Sequence, residues 1–497
     1  MAEKVYLAVD LGASGGRVFA GLFDGQSLRL QELHRFEHSA IAMADGLYWN
    51  LLHLWQQIGN GLRVAAGEFG SRVRSVGVDT WGVDFALLGR GDVLLENPHS
   101  YRDPRATGVM DRAAQRVSRA EIFGHTGVQF LGINTLDQLL AMREQNSPLL
   151  DVAETFLMMP DLFHWLLTGQ KSNEFTNATT TQMFDPARHG WATAMLEKLG
   201  LPTTMFPPLV EPGTRLGPLR KQVARDVGLA GVEVVAPATH DTASAVLAVP
   251  ASPQAGAIDW CYISSGTWSL MGVEMPQPVL TPACLAHNFT NEGGVGRTIR
   301  LLKNITGLWL VQECRRVWVQ AGREYHWETL SKLAGEAKPY ASFIDPDAAQ
   351  FQAPCDMPEM IRTYCRETKQ LVPSEDGAII RTCLDSIAMR YRQVLIALEE
   401  LTGHAINTIH IVGGGAHNRE LCQTTVDVCR RAAVAGPVEA TVIGNVLMQA
   451  IADGQLGSIA EARELARRSF PVERYEPRGE PADAAFARFV DVTKRQA

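Results

Sequence analysis

His240, Asp241 and Thr242 stand between a β-branched run (Val234, Val235) that breaks at Pro237 and an apolar, helix-compatible segment from Ala243 to Leu247. The triplet is therefore expected at a strand-to-helix junction. In open α/β sheets such junctions bind ligands, because backbone donors and short polar side chains converge there free of ladder duties. Two readings stand side by side: a catalytic carboxylate, or Asp241 or Thr242 as a plain cap on the following helix. A second candidate is Asp10 to Arg17, DLGASGGR, between two β-branched runs. Gly12, Ser14, Gly15 and Gly16 describe a hairpin with a flexible tip whose backbone N–H groups can cradle a phosphate beside Arg17. Asp10 is placed to hold a hydrated Mg²⁺ against the same phosphates; the alternative is an ordinary glycine hairpin with a solvated carboxylate. A third is the corner Asp79, Thr80, Trp81, Gly82, Asp84 within VRSVGVDTWGVDFALL. An indole beside carboxylates suits a sugar ring and its hydroxyls, although core packing is the commoner fate of a tryptophan.

Elements must position these groups. The runs Val5 to Val9 and Val18 to Phe23 read as strands, a helix is expected over Leu51 to Phe69, and Val73 to Leu88 reads as two short strands about the corner. Tyr101, Arg102 and Asp103 form a polar loop. Asn134 to Gly169 reads as mostly helical with Gly169 as its stop, and the threonine-rich Phe175 to Asp185 as a polar loop covering the site or a solvated turn. A second hairpin, Trp260 to Val273, turns at Ser264-Ser265-Gly266-Thr267 and echoes the first, so two similar α/β lobes facing each other are expected, with phosphates gripped from both sides. Asn304 is read near a helix start with Gln312 two turns on, a cap and a surface residue being the alternatives. Glu375 to Leu401 is a core helix, and TIHIVGGGAHN reads as strand, glycine corner and helix, which suits adenine and ribose.

Composition bounds the class. At 497 residues the chain implies about two to four domains. A net charge of -8 without a Lys/Arg block argues against nucleic-acid or anionic-membrane partners. No stretch reads as a signal peptide or a membrane span, so a cytoplasmic protein is expected. The eight cysteines all follow residue 260 without a C-x-x-C pair, which supports neither zinc nor a disulfide framework.

Taken in order, VDLGASGGR, GVDTWGVDF, YRDPR, THDTASAV, YISSGTWSLMG, LKNITGLWLVQ, HIVGGGAHN and GPVEAT resemble the FGGY carbohydrate kinases of the actin-like ATPase group over about residues 5 to 450. The resemblance implies an α/β fold of two ribonuclease-H-like domains facing each other across a catalytic cleft. Residues 1–247 would carry the sugar site and phosphate loop, 248–460 the nucleotide site, and 461–497 a tail packed on the body. It implies that Asp241 takes the proton from the sugar hydroxyl, with Gly82, His240, Thr242 and Asn304 as sugar contacts. Ala13, Ser14, Gly15, Gly16, Arg17, Thr267, Gln312 and Gly414 would bind the nucleotide, and Asp10 the magnesium. The implied reaction is transfer of the γ-phosphoryl of MgATP to the 1-hydroxyl of L-rhamnulose. L-fuculose or another deoxyketose is the alternative substrate; a filament- or chaperone-type ATPase of the same fold is the alternative class. Two departures stand out: Gly15 replaces a serine of relatives, so only backbone donation serves there, and PDLFHWLLTG lacks the lysine that precedes tryptophan in the general family signature.

Overall fold

Strand β1 (Lys4–Leu11) is buried from Val5 onward, so each face must be covered by other elements. In the computed structural model, which describes residues 3–251, 258–479 and 481–494, β1 lies inside a six-stranded sheet. With β2 (Gly15–Phe23), β3 (Leu28–Glu37), β4 (Val73–Thr80), β5 (Thr214–Pro218) and β6 (Glu233–Ala236), the order is β5-β6-β4-β1-β2-β3. β1, β4 and β6 run parallel, while β2, β3 and β5 run antiparallel to their neighbours.

Alternation along the strands sends residues to two different covers. Val5, Leu7, Val9 and Leu11 of β1, with Val76 and Val78 of β4, join one core with Leu54, Ile58 and Leu62 of the helix Leu51–Phe69. The intervening residues meet the helix Ala440–Ala452, in sequence far from the strands it covers. Just beyond that helix, Asp453 accepts a hydrogen bond from the Tyr6 hydroxyl at 2.9 Å. Within it, Gln449 accepts from Ser75 Oγ at 2.6 Å and donates to the Leu7 carbonyl at 2.9 Å. Helix and sheet are thus fastened by polar groups that are satisfied within the interface.

The chain forms two compact units, the first made of Met1–Ser252, Glu274–Leu301 and Ala440–Ser469, the second of Pro253–Val273, Leu302–Glu439 and Phe470–Ala497. The second unit repeats the first unit's opening motif. β7 (Trp260–Ser265) and β8 (Trp268–Met275) form an antiparallel hairpin, and β7 continues into parallel pairing with β9 (Thr408–Val412), then β10 (Ala432–Ala435). β11 (Glu473–Tyr475) closes that edge antiparallel. The long helix Asp376–Thr402 buries Ile379, Cys383, Ile387, Tyr391 and Leu398 and ends at Gly403 with φ +70°. The echo between the two hairpins is a shared topology of mixed α/β units.

Three sequence expectations are corrected. Thr155–Met158, inside the stretch read as helical, is a strand paired antiparallel with Phe85–Gly89. Asn304 is not near a helix start: it lies in the strand Ile299–Thr306, and the helix with Gln312 begins at Trp309. The threonine-rich segment is not a solvated turn. Phe175 to Asp185 is buried throughout, as a short helix, a 3₁₀ turn and a strand. Three of its four threonine hydroxyls are satisfied by its own backbone, Thr179, Thr180 and Thr181 each donating to the carbonyl three residues back at 2.6–2.9 Å, while Thr176 donates to Glu174 Oε2 at 2.6 Å. Local side-chain bonding of this kind lets a polar sequence enter a core.

Candidate active site

The parallel strands β1, β4 and β6 end at one edge of the first unit, and each end supplies a carboxylate. Asp10 and Asp79 are register partners near the ends of β1 and β4. β6 stops at Ala236, and the chain continues beside β4: Thr80 N–H donates to the Thr239 carbonyl at 2.9 Å, and Thr80 bridges to His240 in parallel sense. The helix Asp241–Leu247 starts there. Sequence thus dictates the site: β-branched residues end a strand, Pro237 prevents its extension, and the next helix begins on the candidate base.

The loop bearing Asp241 rests on a buried shelf. Glu174, fully buried, accepts from Thr239 N at 3.0 Å and Thr239 Oγ1 at 2.6 Å, and Thr176 Oγ1 accepts from His240 N at 3.2 Å. Asp241 itself is about one-third exposed at its side chain, 32%. Its Oδ1 accepts from Thr242 N at 2.5 Å and Thr242 Oγ1 at 3.2 Å, and lies 3.3 Å from His240 Nε2. Burial raises the Asp241 carboxyl above its ordinary value, and the nearby Asp10 charge adds to the rise; His240 and the Thr242 hydrogen bonds oppose it. No side-chain cap bond is made at the helix start, whose cap position is His240.

Asp79 is completely buried. Its Oδ2 accepts from Asn445 Nδ2 at 2.5 Å, while Oδ1 has no hydrogen-bond partner among the described residues. Burial, then the charge of Asp10, pushes its carboxyl well above the usual range. Asp10 is 5% exposed and is paired with Arg17 Nη2 at 2.5 Å. Three carboxyl groups thus gather at one sheet edge with one guanidinium beside them, and their crowding, with burial, raises the cost of ionising all three together.

The first glycine hairpin is present, but its tip is held. Gly12 N–H donates to the Gly15 carbonyl at 2.9 Å, His38 N–H to the Ser14 carbonyl at 3.3 Å, and His38 Nε2 lies 2.8 Å from the Gly12 carbonyl. The tip expected to be flexible is therefore clamped from β3's continuation. Ala13 and Ser14 form the turn, while Gly15 and Gly16 already pair with Glu37 and Phe36. Gly16 is required by space: a Cβ there would meet the Phe36 ring at 2.2 Å.

The Asp79 to Asp84 corner is positioned as expected, but its second carboxylate is not a spare acceptor. Asp84 Oδ2 accepts from Trp49 Nε1 at 2.6 Å, Trp81 Nε1 at 2.9 Å and Tyr101 N at 3.1 Å, and Oδ1 from Gln138 Nε2 at 3.0 Å. Burial still moves its pKa up to about 6. Trp81 is 6% exposed and packs on Trp49 with centroids 4.4 Å apart, so its indole belongs mainly to the core. Gly82 lies tight against Thr180, where a Cβ would come to 3.0 Å. Sequence reasoning missed Glu292 and Arg300, both buried, which meet His240 from the strand Thr290–Gly293 and the strand Ile299–Thr306. Their signal is only a Glu and an Arg eight residues apart, common in any chain.

In the second unit, Thr267 and Gln312 are brought together: Thr267 Oγ1 donates to Gln312 Oε1 at 3.2 Å, and the backbone of Gly307 and Trp309 donates to the Thr267 carbonyl at 3.1 Å. The glycine corner follows β9. Gly413 has φ +83°, and a Cβ at Gly415 would meet Ser265 Oγ at 1.9 Å, so the corner packs directly on the end of β7. A Cβ at Gly414 would meet nothing within 4 Å, leaving open room beside its backbone. Asn304 lies in this unit, on the strand Ile299–Thr306. All eight cysteines are unbridged, seven of them buried. Among the described residues, no helix is long and apolar enough to cross a membrane.

Comparison with known proteins agrees with this architecture. The N-terminal domain model of the FGGY family of carbohydrate kinases matches residues 5–248, and its C-terminal domain model residues 261–452. A protein named rhamnulokinase from Bacteroides thetaiotaomicron is 42% identical over 98% of this chain and 99% of its own length. Another of that name from Pectobacterium atrosepticum is 41% identical over 97% of this chain and 94% of its own length. Among solved structures, a xylulose kinase from Lactobacillus acidophilus aligns with a TM-score of 0.78 at 13% identity over 99% of this chain and 96% of that one. A Plasmodium falciparum glycerol kinase with ADP aligns with a TM-score of 0.74 at 13% identity, over 99% of this chain and 97% of that one. With both domain models matched in order and relatives near 40% identity along nearly the whole length, the chain belongs to the FGGY family of carbohydrate kinases.

Proposed function

We propose that this carbohydrate kinase transfers the γ-phosphoryl group of ATP to the primary 1-hydroxyl of L-rhamnulose, giving L-rhamnulose 1-phosphate and ADP. The substrate rests on the relatives of about 40% identity that carry the name rhamnulokinase. The chemistry rests on one observation: Asp241, alone among the three carboxylates at the sheet edge, is partly exposed, at 32%, while Asp10 and Asp79 are buried. Asp241 is the group that takes the proton as the hydroxyl attacks, a role a positioned carboxylate fills in phosphoryl transfer. His240, Thr242, Gly82 and Asn304 contact the sugar. Ala13, Ser14, Gly15, Gly16 and Arg17 bind phosphate in the first unit, as do Thr267, Gln312 and Gly414 the nucleotide in the second. In this reading residues 1–247 carry the phosphate loop and the sugar contacts other than Asn304, residues 248–460 carry Asn304 and the nucleotide site, and 461–497 is a supporting tail. A cytoplasmic location is part of the same proposal, supported by the dependence of the reaction on ATP.

Asp10 would hold Mg²⁺, which supplies charge neutralisation on the phosphates when bound. The buried Asp79 Oδ1 beside it, an oxygen without a donor among the described residues, fits that reading. One or two carboxylates completed by water is the ligand set magnesium ordinarily takes.

The test is ADP release measured across L-rhamnulose, L-fuculose, L-fructose and L-xylulose, with NMR of the product. The highest kcat/KM is expected for L-rhamnulose, with phosphate on O1. L-fructose, which carries a hydroxymethyl in place of the terminal methyl, is expected to lose only about 10²-fold, since apolar walls reject an added hydroxyl weakly. L-fuculose turned over as well as L-rhamnulose would reassign the substrate.

A further inference from the structure

Two groups meet the side of His240 turned away from Asp241, and neither has a part in the proposed chemistry. Nδ1 lies 3.3 Å from Glu292 Oε2 and 3.1 Å from Arg300 Nη2. Glu292 and Arg300 are joined to one another at 3.2 Å, and Arg300 Nε donates to the Gly293 carbonyl at 2.9 Å, fixing the plane of the guanidinium. Arg300 is wholly buried, with no hydrogen-bond partner for Nη1 among the described residues, and Glu292 is 4% exposed. A guanidinium stays protonated, so its buried charge requires Glu292 as carboxylate. Consistently, His240 and Arg300 hold the Glu292 carboxyl below its ordinary value even though burial would raise it.

This constellation restricts the imidazole. Arginine only donates and an ionised carboxylate only accepts. If Nδ1 accepts from Arg300, the ring hydrogen is on Nε2. If Nδ1 donates to Glu292, the ring is either an imidazolium, again with Nε2–H, or a neutral ring whose Nε2 lone pair faces the Asp241 oxygen at 3.3 Å. The last arrangement sets two acceptors against each other. The remaining two make Nε2–H a donor to Asp241 Oδ1, the same oxygen that takes both Thr242 bonds. Oδ2 is then the oxygen left for an incoming hydroxyl.

We propose that Glu292 and Arg300 act as one positioning pair: they fix His240 with its hydrogen on Nε2, and His240 in turn anchors Oδ1 of Asp241 so that Oδ2 is presented to the sugar hydroxyl. The proposal rests on the reading of Asp241 as the base. It goes beyond that reading by assigning work to two residues that touch neither sugar nor nucleotide.

The test joins kinetics to a direct view of the ring. ¹⁵N NMR of histidine-labelled protein is expected to show His240 protonated at Nε2; an Nδ1–H tautomer in the wild type overturns the proposal whether or not any variant folds. Glu292→Gln alone strands a buried cation, so the pair is removed together as Glu292→Gln/Arg300→Met, with circular dichroism to confirm folding. Its kcat for the ketose is expected to fall about 10²-fold, the usual cost of a misplaced reacting group, with KM for ATP within threefold of wild type. Glu292→Asp, which keeps the charge, is expected to stay within tenfold of wild type. In an Asp241→Asn background, adding the pair change should cost less than threefold more. Equal losses in both backgrounds, or wild-type kcat in the pair variant, overturn the positioning role while leaving the base intact. Near-normal turnover in Asp241→Asn overturns the base reading, and the positioning role with it.

Discussion

A carboxylate that serves as a base must be aimed and reachable, and different features secure each of these for Asp241. Thr242 and His240 hold Oδ1, Glu174 supports the loop from below, and one-third of the side chain stays open. Asp241→Asn is expected to lower kcat by about 10²–10⁴-fold with nucleotide binding retained, measured by steady-state kinetics and calorimetry with ADP. Away from the site, Asp137 is 1% exposed with an unpartnered Oδ1, and burial moves its pKa from the ordinary 3.8 up to about 7. Between those values the folded chain keeps a proton that the unfolded chain gives up, so Asp137 costs stability progressively as pH rises through that window, and the cost is constant above it. The melting temperature of Asp137→Asn should therefore match wild type near pH 4 and exceed it by a margin that grows until about pH 7. A margin independent of pH would assign the effect to something other than ionisation. Neither Asp137 nor Glu292 was legible in the sequence. Their significance comes from burial and from partners that only the fold supplies.

Whole elements were easier to read than the partners of single side chains, because periodicity is local. The strand before Pro237, the helix Leu51–Phe69 and both glycine hairpins follow from alternation, apolar spacing and turn residues. Asp84 shows where such reading stops: it looked like a free acceptor for sugar hydroxyls, yet its donors come from Trp49, Trp81, Tyr101 and Gln138, three of them well removed in sequence. The threonine segment fails for the opposite reason, since its polar groups are satisfied so locally that polarity no longer signals exposure. The helix Asp241–Leu247 illustrates contact that only an element pair can create. It packs on the helix Ala440–Ala452 at Gly444, where a Cβ would come within 1.8 Å of the Ser244 carbonyl oxygen. Gly444→Ala must push the two helices apart, and overpacking of this kind costs about 1–3 kcal/mol. The expected result is a melting temperature several degrees lower together with reduced kcat, since the displaced helix begins at Asp241. An unchanged kcat with lowered stability would show that the shift is absorbed by the other helix.

At the scale of the molecule, neither unit is a continuous piece of chain. The first unit requires Ala440–Ser469, whose Asn445 and Gln449 hydrogen-bond Asp79 Oδ2, Ser75 and the Leu7 carbonyl. Residues 1–251 produced alone should therefore lack a cooperative thermal transition and bind a hydrophobic dye, as judged by circular dichroism and fluorescence; a fragment that melts cooperatively would show the helix to be dispensable. The same interleaving sets a clock during synthesis. The last strand of the first sheet ends at Ala236 and its covering helix begins at Ala440, a gap of about 200 residues. At ~5–20 residues per second, the half-covered sheet waits roughly 10–40 s for its partner to leave the ribosome. For that interval the face destined for Asn445 and Gln449 is open to whatever the cell offers, so nascent-chain holding factors are expected to meet this protein there first.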